Sequence, residues 1–553
     1  MQGENMTTSS SISNNSTVLF DRAMKWLCMN ERDSRWIRWA FLSAALLYFI
    51  FLGAVETGPI NKYGHDVFLL LDGGWRIVNG QIPYRDFYLS LGPLEFMITA
   101  VGMLLTHGNP QGIAIGNVIF GIAVGIWGWL LSRRRLPAIP ALLVTAWLIL
   151  TAISPAPLAD MPQVMSSAMI YNRHGYALLG LVLVECAFAS ERSRFWGGMS
   201  SGIALVLMAF LKLNFFGVAA LLLLATVPMR REEMPRAWGF LIGLAATVAT
   251  FALYLRFAIS AFVYDMRLTI QARSSLLKSS GYIGDIFGSA ACVTLAIMTV
   301  IAMLLITNGE LWQRFVVRFY FIGGVVIVTT KFFRETDHSD HGFQLASLWV
   351  IVLLGMLIAA YPHSKERVAI SSVIALGLGS VFAGFFLDAE SVKTLLRYHA
   401  PSVMSQGVSI TGRGMERLKF YDTDPDDTSI YRFDNGHYVV DHVNDGLALL
   451  EKSSTQDESV LTIGFINPFD YILRRKPALG GSPWEKDGDN FPSKYLLDES
   501  LVLGNADLIM VPHYPSSNED SDNFLAEEYH SRLLQHFTFV DSSQWWSLYR
   551  RRK

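Results

Sequence analysis

From residue 36 to residue 387 the chain alternates long apolar runs with short polar connections, and beyond residue 388 that alternation stops. A helix needs roughly 20 apolar residues to cross a bilayer, with a range of about 17 to 25. Runs of this kind fall near 36–55, 111–131, 138–153, 168–190, 196–211, 213–229, 237–260, 286–307, 316–333, 342–361 and 368–387, so about eleven spans are expected. A further segment, PLEFMITAVGMLL at 93–105, is apolar but short. It lies in a long first loop, 56–110, and is expected as an interfacial or re-entrant helix.

The tail, 388–553, is rich in Asp, Ser, Asn and Tyr. VLTIGF (460–465) and ADLIMVP (506–512) are short apolar runs bounded by turn residues and predict buried strands, while HYVVDHVNDGLALLEK (437–452) predicts a helix. About 165 residues suffice for a domain. The expected organisation is therefore a leader (1–35), a membrane part (36–387) and a C-terminal soluble α/β domain (388–553).

Composition agrees with a membrane protein: 52% of residues are hydrophobic and 17% charged, with a mean hydropathy of +0.33. Soluble domains carry about 25% charge. The net charge of -2 gives no sign of a nucleic-acid partner. Cys28, Cys186 and Cys292 form no CxxC pair, and neither a disulfide framework nor a thiolate metal site is indicated. No small-residue cleavage site follows the first apolar run, which reads as a retained signal-anchor.

Lys/Arg clusters set the expected sidedness. They occur at Arg32–Arg38, at Arg133–Arg135, in ERSR (191–194), in MRREEMPR (229–236), around Arg314 and Arg318, and in HSKER (363–367). All of them fall on the cytoplasmic side if 93–105 does not span. The amino terminus is then inside and the tail outside, as in a bacterial inner-membrane protein.

The opposite loops concentrate ionisable groups of another kind. The first carries His65, Asp66, Asp72, Arg85 and Asp86; the second carries Asp160 and then MIYNRHGY with Arg173 and His174. AFLKLNFF places Lys212 in a tight apolar hairpin, and YDMRLTIQARSSLLKSS offers Asp265, Arg267, Arg273 and Lys278. KFFRETDHSDHG adds Lys331, Arg334, Asp337, His338, Asp340 and His341. Acids near the first span and bases around the others suit a site that activates a hydroxyl and holds a phosphate.

Three stretches carry a family resemblance. "HD" followed by a helix and then GQIPYRDFYLSLGPLEF, the hairpin LVLMAFLKLNFFGVAALLLL, and MIYNRHGYALLGL are similar to motifs of the C-type (GT-C) glycosyltransferase superfamily. The chain resembles the branch of protein O-mannosyltransferases and lipid A aminoarabinose transferases, over about residues 36–387. Two departures stand out: Asp66–Val67 where the branch usually has Asp-Glu, and Gly92–Pro93–Leu94 where it has Pro-Pro-Leu.

The resemblance implies an all-α polytopic fold and transfer of a sugar from a polyprenyl-phosphate donor to a hydroxyl of a glycan, lipid or protein. It makes Asp66 the base of an inverting single displacement. A carboxylate in hydrogen-bond reach takes the acceptor proton as bonding to the anomeric carbon develops, and cations stabilise the leaving lipid phosphate. Asp66 also reads as a carboxylate favoured by a helix N-terminus. Asp86 is a second catalytic candidate, or with Arg85 an ordinary turn residue; Tyr84 and His65 are substrate-binding candidates beside them. Lys212 and Arg173 are expected at the lipid phosphate, although Lys212 also reads as a snorkelling residue. His174, Arg267, Arg273, Lys278, Arg334 and His338 complete the substrate-binding set. His338 and His341 form H-x-x-H flanked by acids, so a divalent cation is a possible cofactor, with solvated loop charges as the plainer account. Trp545 and Trp546 read as sugar platforms or as core. A transporter or flippase of lipid-linked glycans and a non-catalytic scaffold are the alternative functions. Against the first stand the absence of an internal repeat and the clustering of ions at one face. An intact Asp66 counts against the second.

Overall fold

The computed structural model describes residues 35–55, 58–157, 161–187, 194–226, 234–273, 367–412, 414–422, 435–485, 497–513 and 519–552, with a few positions within 22–27 and 348–358. Most of the leader, the expected spans at 286–307 and 316–333, most of 342–361, and Cys28, Asp160, Lys278, Cys292, Lys331, Arg334, Asp337, His338, Asp340 and His341 lie outside the described residues.

The described chain is mostly helical, with small sheets in the tail. Its helices are α1 (Arg35–Val55), α2 (Asp66–Val78), α3 (Leu94–Leu105), α4 (Gly112–Ser132), α5 (Ala138–Ile153), α6 (Ile170–Ala187), α7 (Arg194–Ala209), α8 (Leu213–Thr226), α9 (Met234–Tyr254), α10 (Ile259–Arg273) and α11 (Arg367–Tyr398). Among the described residues four helices are long and apolar enough to cross a bilayer: α1, α4, α9 and the Val373–Tyr398 part of α11. They present large apolar side chains outward, such as Leu46, Leu47 and Ile50 on α1 and Trp238, Leu241 and Ile242 on α9, as a lipid-facing surface requires. The expected spans at 138–153, 196–211 and 213–229 appear as helices of 16, 16 and 14 residues. The helix α6 is buried from end to end and forms the axis of the group.

Glycines set the closest helix crossings. Gly198 and Gly202 of α7 face Gly239 and Gly243 of α9, two G-x-x-x-G pairs in mutual contact. A Cβ at Gly239 would run into the Phe195 carbonyl, and one at Gly198 into the Arg236 carbonyl. Small residues of this kind let backbones approach within a membrane. At the end of this pair, Glu185 of α6 is buried and binds both Arg135 and Arg236, tying α6 and α9 to the α4–α5 turn. Segment 93–105 is a helix of 12 residues, about 18 Å long at 1.5 Å per residue and so too short to span. It lies on α4, where Gly102 meets Gly112 and Gly116 meets the Ile98 carbonyl.

The tail contains β2 (Lys419–Phe420), α12 (Gly436–Ser453), β3 (Val460–Thr462), β4 (Leu508–Pro512), α13 (Glu519–His536), β5 (Phe537–Ser542) and β6 (Trp546–Arg551). The two predicted strands and the predicted helix are β3, β4 and α12; the Asn435 side chain caps α12 by accepting from the Tyr438 N–H at 2.9 Å. Its four-stranded sheet has the order β3-β4-β6-β5, parallel between β3 and β4 and antiparallel elsewhere. Trp546 is fully buried in it, which is the core role of that tryptophan.

The first loop and the tail share a core. Val67, Phe68, Leu70 and Leu71 of α2 pack in one cluster with Val439, Val443, Phe469 and Trp546. Strand β1 (Pro59–Ile60) pairs in parallel with β2, and Trp75 Nε1 donates to the Arg475 carbonyl at 2.9 Å. The buried pair Asp72–Arg76 (2.9 Å) carries this junction further, since Arg76 Nη1 donates to the carbonyls of Ala478 and Gly480. That use of Asp72 fits its place six residues beyond Asp66, away from the α2 start.

Candidate active site

Asp66 is the first residue of α2, where the helix dipole favours a carboxylate. Its backbone N–H donates to the Tyr63 carbonyl at 3.1 Å, and Tyr63 holds a left-handed φ of 52° that turns the chain into the helix. His65 Nε2 lies 3.3 Å from Asp66 Oδ1, and both side chains keep a little solvent contact, 13% and 17%. The His65 ring meets Phe465 of the tail edge-on at 4.7 Å, and Trp484 stands against Phe465 in turn. Trp484 packs on both the membrane core and the tail core, so it closes the seam behind His65.

Lys212 lies in the turn between α7 and α8, only 5% exposed. Its Nζ donates to Asn172 Oδ1 at 3.0 Å and sits 4.9 Å from the centre of the Tyr171 ring, two neutral groups on α6. The hairpin is anchored to the first loop, because Gly92 N–H donates to Leu211 O and Leu94 N–H to Phe210 O, both at 2.9 Å. A Cβ at position 92 would overlap the Phe210 carbonyl, which gives Gly92 its physical reason. One residue on from Leu94, Glu95 Oε2 meets His174 Nδ1 at 2.7 Å, both groups buried.

Backbone and side-chain bonds join these pieces into one network on the tail side. Asn61, five residues before Asp66, donates from Nδ2 to Gln163 O at 2.9 Å and to the Tyr398 hydroxyl at 2.8 Å, while its Oδ1 accepts from Met165 N–H at 2.8 Å. That loop runs directly into Tyr171 and Asn172, the partners of Lys212. On the other flank Asp265 of α10 accepts from Leu89 N–H at 3.0 Å. Burial pushes its carboxyl up to about 7, and the Leu89 bond offsets part of that rise.

Several other sequence candidates make local bonds. Asp86 accepts from Arg85 at two points and from the Ile82 N–H at 2.7 Å, the plain turn arrangement. Burial raises the Asp86 carboxyl, but Arg85 and the Ile82 bond together hold it below the usual value. The Tyr84 hydroxyl donates to Leu91 O at 2.9 Å, and burial raises its pKa well above normal. Arg173, buried, donates to the carbonyls of Ser154 and Ser166 and so pins the loop before α6. Arg267 is exposed on α10, and Arg273 closes that helix. Among the described residues no three His, Cys, Asp or Glu side chains gather as a cation would require; His338 and His341 lie outside them.

Asn61, Glu95, Asn172 and Trp484 enter the site without having been singled out in the sequence. An Asn or Glu in the first turn of an apolar helix is the signal for Glu95 and Asn172. Nothing in the local sequence marks Asn61 or Trp484, whose parts depend on contacts about 100 or more residues away.

No family model matches the chain, and no curated protein matches it. Among solved structures the chain is similar to ArnT from Cupriavidus metallidurans in the apo state, at 12% identity, covering 94% of this chain and 98% of that one with a TM-score of 0.37. It is similar also to ArnT from the same organism bound to undecaprenyl phosphate, at 11% identity, covering 93% and 98% with a TM-score of 0.38. Likenesses this distant carry no chemistry from one protein to the other.

Proposed function

We propose that the chain is a membrane glycosyltransferase that moves a sugar from a polyprenyl-phosphate donor to an acceptor hydroxyl on the tail side, the outer face of a bacterial inner membrane. Asp66 takes the hydroxyl proton as the acceptor oxygen bonds to the anomeric carbon, and the bond from that carbon to the phosphate oxygen breaks. The sugar inverts in one displacement and the lipid phosphate departs with the bonding electrons. Lys212 supplies positive charge to that phosphate. Asn172 and Tyr171 position Lys212, and Glu95–His174 fixes α3 against α6. His65 orients Asp66.

One observation supports this reading: Asn61, on the loop that leads into Asp66, bonds to Gln163 and Met165 on the loop that leads into α6, and α6 in turn offers Asn172 to Lys212. The test is the fate of the donor. Vesicles holding the full chain and a polyprenyl-phosphate sugar are expected to yield free polyprenyl phosphate in equal amount to glycosylated acceptor. Movement of intact donor between leaflets with no cleavage would show a flippase instead.

A further inference from the structure

A pocket lies on the tail side, and Asp66, His65 and Lys212 are not among its lining residues. It is a cleft of about 280 Å³ where the last turn of α1 meets the last turn of α11 and the β2 edge of the tail. Val55, Tyr398, His399, Arg417, Lys419 and Tyr421 form its walls. Among its described lining residues Arg417 and Lys419 are the permanent cations and Glu416 the one acid. Gln111 accepts from Arg417 Nη1, which fixes the guanidinium and leaves its charge in place. His399 donates from Nδ1 to the Leu395 carbonyl at 2.8 Å, so its ring is held at the rim.

The surroundings identify the occupant. Both helices that reach the pocket expose apolar side chains along their length, Leu47 and Ile50 on α1 and Phe386, Leu387 and Leu396 on α11. In a bilayer such faces meet acyl chains. Two cations, Arg417 and Lys419, thus stand at the head of an acyl-lined flank, with Val55 and Met404 as an apolar wall that a free anion does not need. We propose that this pocket binds the phosphodiester headgroup of an anionic phospholipid of the tail-side leaflet, on Arg417 and Lys419.

The lipid would brace a narrow joint. Strands β1 and β2 pair over only two residues, Pro59 with Lys419 and Ile60 with Phe420, and Lys419 N–H donates to Gly58 O at 2.7 Å. Asn61 follows at once and holds the Tyr398 hydroxyl. A headgroup across Lys419 and the α11 end therefore clamps the segment that leads into Asp66. The proposal concerns lipid binding alone and stands whether or not the chain transfers sugar.

Native mass spectrometry of the full chain in detergent tests it, with phosphatidylglycerol and phosphatidylcholine as probes and no sugar donor. The wild type is expected to retain one phosphatidylglycerol under conditions that strip phosphatidylcholine. The double variant Arg417→Gln, Lys419→Gln should bind it about tenfold more weakly, the size of one or two lost charge-assisted contacts. Lys452→Gln, an exposed lysine paired with Asp541 far along the tail, should bind as wild type. If the double variant does not fold, exposed Arg417→Gln alone decides, with binding about threefold weaker expected. Equal retention by the variants overturns the proposal, as does equal retention of phosphatidylcholine. Displacement of the lipid by millimolar inorganic phosphate would show an anion site rather than a lipid site and overturn it too.

Discussion

The ammonium of Lys212, in the α7–α8 turn, stands 3.0 Å from the amide oxygen of Asn172, a residue 40 positions earlier on α6. The pairing places a buried cation at the tail-side end of α6 and gives it a neutral partner. Lys212→Ala is expected to lower transfer by about 10²–10³, because the leaving phosphate loses a preorganised cation. Asn172→Ala, which only positions Lys212, should cost about tenfold and mostly in KM for the lipid donor. Initial rates at varied donor concentration separate the two. Equal, small effects in both variants would give Lys212 a purely structural role.

The shared core of first loop and tail has a pH signature. Burial, reinforced by nearby Asp72 and opposed by Arg76, pushes the Asp470 carboxyl up to about 8 from its ordinary 3.8. Between these values the folded chain keeps a proton that the unfolded chain has released. Stability therefore falls as pH rises from about 4 to about 8 and levels off above. Asp470→Asn keeps an oxygen for the Val460 N–H, which now donates to Oδ1 at 3.1 Å, and should flatten that decline. Melting temperatures in detergent across pH 5 to 8.5 check it; an unchanged slope in the variant contradicts it.

The glycine crossing of α7 and α9 is expected to tolerate no bulk. Gly239→Leu should cost about 1–3 kcal/mol or prevent folding, since its side chain meets the Phe195 carbonyl. Gly217→Ala on α8 meets nothing within 4 Å and should be neutral or slightly stabilising. Thermal melting and folded yield of both variants provide the comparison.

Much of this architecture was legible from one sequence, for physical reasons. Apolar length gave the helices, and the short run at 93–105 declared its inability to span. Apolar runs bounded by turn residues gave β3 and β4, and HYVVDHVNDGLALLEK gave α12. The β5–β6 hairpin was missed because its strands mix Arg, Asp and Ser with aromatics and carry no clean alternation. In the candidate site, local chemistry singles out Asp66 and Lys212 but does not show their neighbours. Asn61, Glu95 and Asn172 act through partners 40 to 337 residues away, and such pairings leave no local trace. Arg173 and Asp86 show the converse. Their charge marks them in the sequence, but the sequence does not show that Arg173 reaches the Ser154 and Ser166 carbonyls or that Asp86 accepts from the Arg85 guanidinium and the Ile82 N–H.

The most direct measurement is sugar transfer by Asp66→Asn in reconstituted vesicles, beside the wild type and with folding confirmed by its melting curve. Loss of the base is expected to remove transfer by about 10²–10⁴ while donor binding and the melt stay near wild type. Transfer at the wild-type rate by a folded Asp66→Asn chain would contradict the assignment of Asp66 as base.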